Sequence, residues 1–183
     1  MSQVEASSRS ADFVYPRVRQ VLHWTSAALI LAMIPSGLIM ARTLDDALRL
    51  NLYQLHLLGG WVIVALMLAR AVLRFRQPAP TPAGLAPWNR RLHAGVHGAV
   101  TFFPLLLAAS GTGAILQNDL GPLLQAQVAP PATLDVAQSR DAHQVGAYLF
   151  TALLLVHVAG VVRYQRTRGD VLARMGVRWW ASR

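Results

Sequence analysis

Six histidines, His23, His56, His93, His97, His143 and His157, each lie in or at the edge of a long apolar run. Imidazole can bind a metal or carry a proton, so the question is whether the spacing favours either role. His143 and His157 are 14 residues apart. On a helix turning about 100° per residue, that interval returns the two side chains to nearly one face and separates them by about 21 Å. The same interval joins His56 to Arg70, His23 to Gly37, and His97 to Gly111. Each of four segments thus carries a His at one level and a His, Arg or Gly one leaflet away on the same stripe. A single His at a membrane interface is usually a polar residue among headgroups; six in a common register point to a shared ligand.

A flat macrocycle standing between helices gives the register a physical reason. A heme supplies four equatorial nitrogens and needs two axial ligands, which two His at one depth on different helices provide. A bare ion held by two His would be under-coordinated, since zinc takes three or four protein ligands. Gly37 and Gly111 let a ring approach the backbone, and Gly60, one turn after His56, offers similar clearance. Arg70, inside an apolar segment, needs a partner to offset its burial, and a heme propionate is a suitable one.

The elements that hold these residues follow from composition. The chain is 54% hydrophobic and 14% charged over 183 residues, with a mean hydropathy of +0.38, too apolar for a soluble domain of this size. The net charge of +9 comes entirely from Arg placed between apolar runs, which argues against nucleic-acid binding. Without Cys, disulfides, iron-sulfur clusters, thiolate catalysis and covalent heme attachment are excluded. Residues 21–40, 52–73, 95–116 and 142–162 are each near the 20 or so apolar residues a bilayer core requires. The first run is too long for a signal-peptide core and reads as an uncleaved span. Backbone groups in lipid must satisfy one another, so the spans are helices, with Pro35 and Pro104 as tolerated kinks.

The expected fold is an all-α integral membrane four-helix bundle. It comprises a tail over residues 1–20, the transmembrane diheme domain over 21–162, and a second tail over 163–183. The two tails and the middle loop, with the adjoining span end, carry +11, whereas the other two loops carry −2. The positive-inside rule makes both termini cytoplasmic. The Pro-rich stretch over 77–88 should be extended. The LLQAQV piece of the long outer loop is expected along the membrane surface, and Trp88, Tyr164, Trp179 and Trp180 are expected as interfacial anchors. Depth then pairs His56 with His143 for an outer heme and His23 with His157 for an inner one, these four being the expected iron ligands. His93 and His97, at i and i+4, share the inner depth, so either could replace an inner ligand.

The HW at His23-Trp24, the YQLHLLGG around His56, the GVHGAV around His97 and the His143/His157 pair together resemble the bacterial diheme cytochrome b561 family over about residues 15 to 178. The same four-helix core is similar to the cytochrome b subunits of formate dehydrogenases and nickel-iron hydrogenases. The resemblance implies two heme b groups with the fourth-helix His pair ligating both, His56 opposite His143 and His23 opposite His157. The chain looks most like the short stand-alone superoxide:ubiquinone oxidoreductases, a resemblance that implies superoxide as outer donor and ubiquinone as acceptor. Arg140, three residues before His143, either attracts an anionic donor or pairs with a propionate. The negative outer loops work against long-range steering of an anion. His97 and Arg70, with Arg74 and Arg91, are the candidates for supplying protons to a quinone at the inner side. The alternative is an electron-conducting anchor subunit with a peripheral redox protein as partner.

Overall fold

The computed structural model describes residues 13–78, 86–131, 138–167 and 171–177. Its elements are α1 (Arg17–Met40), α2 (Asp46–Arg76), α3 (Pro87–Gln117), the short α4 (Leu120–Gln125), α5 (Gln138–Thr167) and the single turn α6 (Val171–Arg174), with no strand among the described residues. Four of these, α1, α2, α3 and α5, are long and apolar enough to cross a membrane. The protein is therefore an all-helical, multi-pass membrane bundle, as its hydropathy predicts.

The helices start and stop for local reasons. The Asp45 carboxylate accepts from the Leu48 amide at 2.6 Å and caps α2, with Asp46 in the first turn and Arg74 and Arg76 in the last, charges that complement the helix dipole. Pro87 opens α3, where its missing N–H costs nothing. Arg19 of α1 donates to the carbonyls of Leu73 and Gln77, satisfying the C-terminal end of α2 from a neighbouring helix. Each long helix extends beyond its expected apolar span, because these capped ends lie in polar sequence that hydropathy does not count. Residues 79–85 of the Pro-rich stretch, and Trp179 and Trp180, lie outside the described residues.

Packing joins two helical hairpins. α1 lies along α2, α3 lies along α5, and α2 against α3 brings the pairs together. The common core is Ile30, Ile63, Met67, Val100 and Phe150, with the Phe103 and Phe150 rings stacked at 5.7 Å. This core is thin. In α5 only 6% of the most apolar stretch is buried by protein, and Leu31, Leu55, Leu106 and Leu155 stand largely exposed. Lipid, rather than protein, must cover those faces.

At the end of the bundle away from the two termini, termed outer after the charge bias of the loops, the loop folds inward. α4 tucks Leu120 and Leu124 against the bundle, so the LLQAQV piece is partly packed on protein instead of lying free along the surface. Arg49, itself buried, fastens this region: its Nε donates to the buried Pro130 carbonyl at 2.6 Å, Nη1 donates to the Thr43 carbonyl at 3.2 Å, and Nη2 pairs with Asp46. At the inner end Trp24 Nε1–H donates to the Met175 carbonyl at 2.9 Å, and the Tyr15 amide donates to the Arg174 carbonyl at 2.9 Å. The two terminal segments are thereby held together beneath the bundle.

Candidate functional site

At the outer end the helices bring His56 of α2 and His143 of α5 together, one ring edge-on to the other. Their ring centroids are 6.1 Å apart, with the planes at 74°. Each ring lies against a glycine of the adjoining helix. A Cβ on Gly37 would stand 3.1 Å from His56 Cε1, and one on Gly111 would stand 3.1 Å from both Cε1 and Nδ1 of His143. Those distances are shorter than ordinary carbon contacts of about 3.5–4.0 Å. The 14-residue register of His23 with Gly37 and His97 with Gly111 thus turns into two glycine faces, each receiving the imidazole of a partner helix. A Cβ on Gly60 would meet nothing within 4 Å.

Two serines complete the outer arrangement, and the sequence reading missed both. Ser36 Oγ lies 3.1 Å from His56 Nδ1 and 2.9 Å from the Met33 carbonyl. Ser110 Oγ lies 3.3 Å from His143 Nδ1 and 3.0 Å from the Leu107 carbonyl, and that carbonyl is also 2.8 Å from His143 Nδ1. The Leu107 carbonyl only accepts, so His143 Nδ1 carries the proton, and both serine hydroxyls donate to a carbonyl of their own helix, which leaves their oxygens able to accept from an imidazole Nδ1–H. Both histidines are left with Nε2 as the nitrogen that can bind a metal. The available signal was a repeated Ser-Gly dipeptide, Ser36-Gly37 and Ser110-Gly111, at corresponding places in the register.

The inner end is more crowded. His97 and His157 meet with centroids 5.0 Å apart, and His93 stacks on His97 at 4.1 Å. His23 sits edge-on to Trp24 at 5.0 Å and within electrostatic range of Arg70 and His157. Arg70 donates to Ser26 Oγ at 2.5 Å, and its second amino group is 3.4 Å from His23 Nδ1, beyond the usual hydrogen-bond length. Arg140 lies one turn before His143, within electrostatic range of Tyr53.

A bundle of four apolar helices with paired histidines at both ends defines a class, the membrane proteins that hold a redox group between helices. The chain matches the family model of prokaryotic cytochrome b561 over residues 14–176, almost its whole length, and so belongs to that family. It is a membrane b-type cytochrome of electron transfer, and its family binds heme b. No curated protein matches the chain.

The outer residues fit such a group. Two imidazoles sharing one metal ion, at nitrogen-metal distances of about 2 Å, would stand with their centroids about 6 Å apart. His56 and His143 stand at 6.1 Å. Their Nδ1 atoms are already engaged, and glycine occupies the helix wall beside each ring. The 5.0 Å between His97 and His157 is about 1 Å too short for an iron between them and is a direct ring contact.

Proposed function

We propose that the protein carries two heme b groups, which His56 and His143 would hold at the outer end and His23 and His157 at the inner end. In this reading it conducts electrons across the bacterial inner membrane to ubiquinone, with both termini cytoplasmic. The observation that carries the proposal is the outer pair: two imidazoles separated by the span of a ligated iron, each seated on glycine and held at Nδ1. Held by two histidines, heme b would supply one-electron transfer.

The chain's own residues do the rest. Gly37 and Gly111 leave the ligand rings room against the helix walls, and Arg70, anchored by Ser26 beside His23, supplies positive charge for a propionate. At the outer face we take superoxide as donor, with Arg140 as the local positive charge near His143. Two superoxide anions each give up one electron to become dioxygen, and one ubiquinone takes both electrons with two protons from the cytoplasmic side. We assign the hand-over of those protons to His97, a reading supported by its ring contacts with His93 and His157.

The test begins with reduced-minus-oxidised spectra and a pyridine hemochrome assay on the purified protein, which should give a b-type α band. His56→Ala and His143→Ala should each remove the same heme, and His23→Ala and His157→Ala the other. Loss of the inner heme in His97→Ala with retention in His23→Ala would reassign the inner ligand. Ubiquinone reduction by superoxide in the isolated protein is expected; a heme-replete protein inactive with superoxide would instead favour an anchor subunit serving a peripheral redox partner.

A further inference from the structure

The two outer histidines are held alike at first sight, yet their Nδ1 environments differ in one respect. His143 Nδ1 has two acceptors, the Leu107 carbonyl at 2.8 Å and Ser110 Oγ at 3.3 Å, and the backbone oxygen is the closer. His56 Nδ1 has Ser36 Oγ at 3.1 Å as its hydrogen-bond partner, and no carbonyl hydrogen-bonds to it among the described residues. The Ser36 hydroxyl donates to the Met33 carbonyl at 2.9 Å; when neutral His56 binds a metal through Nε2 its Nδ1 carries the proton, and this oxygen is there to accept it. The adjoining Gly37 keeps the ring edge close to the α1 backbone, which holds the serine and the imidazole in contact.

We infer that Ser36 is a positioning residue that sets the tautomer and basicity of His56, and through it the reduction potential of the outer heme, whereas Ser110 is dispensable for His143. The inference rests on the proposed His56/His143 ligand pair. A hydrogen bond accepted from Nδ1–H makes Nε2 a stronger electron donor, as ligand-orienting partners do at metal sites generally. A stronger donor stabilises the ferric over the ferrous state and lowers the potential. Ser36→Ala removes the acceptor of the Nδ1 proton. Ser110→Ala leaves the backbone carbonyl in place, and a backbone oxygen cannot be removed by side-chain substitution.

The experiment is a spectroelectrochemical titration of the purified holoprotein and its Ser36→Ala, Ser110→Ala and Ser36→Thr variants, with heme content measured in parallel. Ser36→Ala should raise the outer heme's potential, shifting its ferric-to-ferrous equilibrium about tenfold, equivalent to about 59 mV for one electron. Ser110→Ala should shift it less than about threefold by the same relation, and the inner heme should not move. Ser36→Thr keeps a hydroxyl and should restore the native value.

Should Ser36→Ala fail to retain the outer heme, retention in Ser36→Thr supports the inference and loss in both overturns it in favour of packing alone. An unchanged potential in heme-replete Ser36→Ala, or equal shifts in the two alanine variants, also overturns it. Either result leaves the ligand assignment standing. That assignment fails separately, if His56→Ala retains the outer heme.

Discussion

Adding one methyl group at position 111 tests the glycine face directly. In Gly111→Ala the new carbon would lie 3.1 Å from Cε1 and Nδ1 of His143, where contacts normally settle at about 3.5–4.0 Å. The ring must therefore retreat by about half an ångström. The edge that is struck is the edge that donates to the Leu107 carbonyl at 2.8 Å. Retreat stretches that bond to the end of the usual range of about 3.2 Å, a loss of about 1 kcal/mol. Replacing Gly by Ala in a helix interior returns about 1 kcal/mol. The two contributions nearly cancel, so thermal stability should hardly change while the orientation of His143 does. Gly160→Ala is the control, because a Cβ there meets nothing within 4 Å. Heme content and the midpoint potential of the outer heme, read on detergent-purified protein, are the assays. Gly111→Ala should lower the outer-heme signal or shift its potential, with Gly160→Ala indistinguishable from the parent. An outer heme unaltered in both amount and potential in Gly111→Ala would refute the claim that this glycine exists to admit the imidazole.

Two further substitutions probe the ends of the bundle. Arg49→Met would strand the buried Pro130 carbonyl and release the Thr43 and Asp46 contacts. A loss of about 1–3 kcal/mol for a buried group left unpaired should appear as a lower melting temperature and faster proteolysis of the loop before α5; an unchanged melt would show that water replaces the arginine without cost. Trp24→Phe keeps the ring and removes the bond to the Met175 carbonyl, about 1 kcal/mol. The segment around Val171–Arg174 should then be cleaved faster in limited proteolysis, and equal cleavage rates would assign its docking to the Tyr15–Arg174 contact instead.

The sequence by itself determined the spans, because a bilayer core fixes how many apolar residues a helix must present, and α1, α2, α3 and α5 each contain the run expected of them. Their ends were less legible. Asp45, Pro87 and the Arg19 contacts with α2 extend helices into polar sequence, where capping rather than hydropathy decides. The 14-residue register was also visible in the chain, since helical periodicity alone puts His143 and His157, or His23 and Gly37, on one stripe.

Which stripe faces which was a matter for the tertiary structure. Only the packing of α1 on α2 and of α3 on α5 sets Gly37 against His56 and Gly111 against His143, and brings the two imidazoles to 6.1 Å. The serines were present in the sequence as two Ser-Gly dipeptides, yet a serine in an apolar helix ordinarily bonds its own backbone, as Ser26 and Thr101 do. That Ser36 also meets a histidine 20 residues away depends on the relative rotation of two helices about their axes. Local periodicity leaves that rotation free, and the close contacts of the folded bundle fix it.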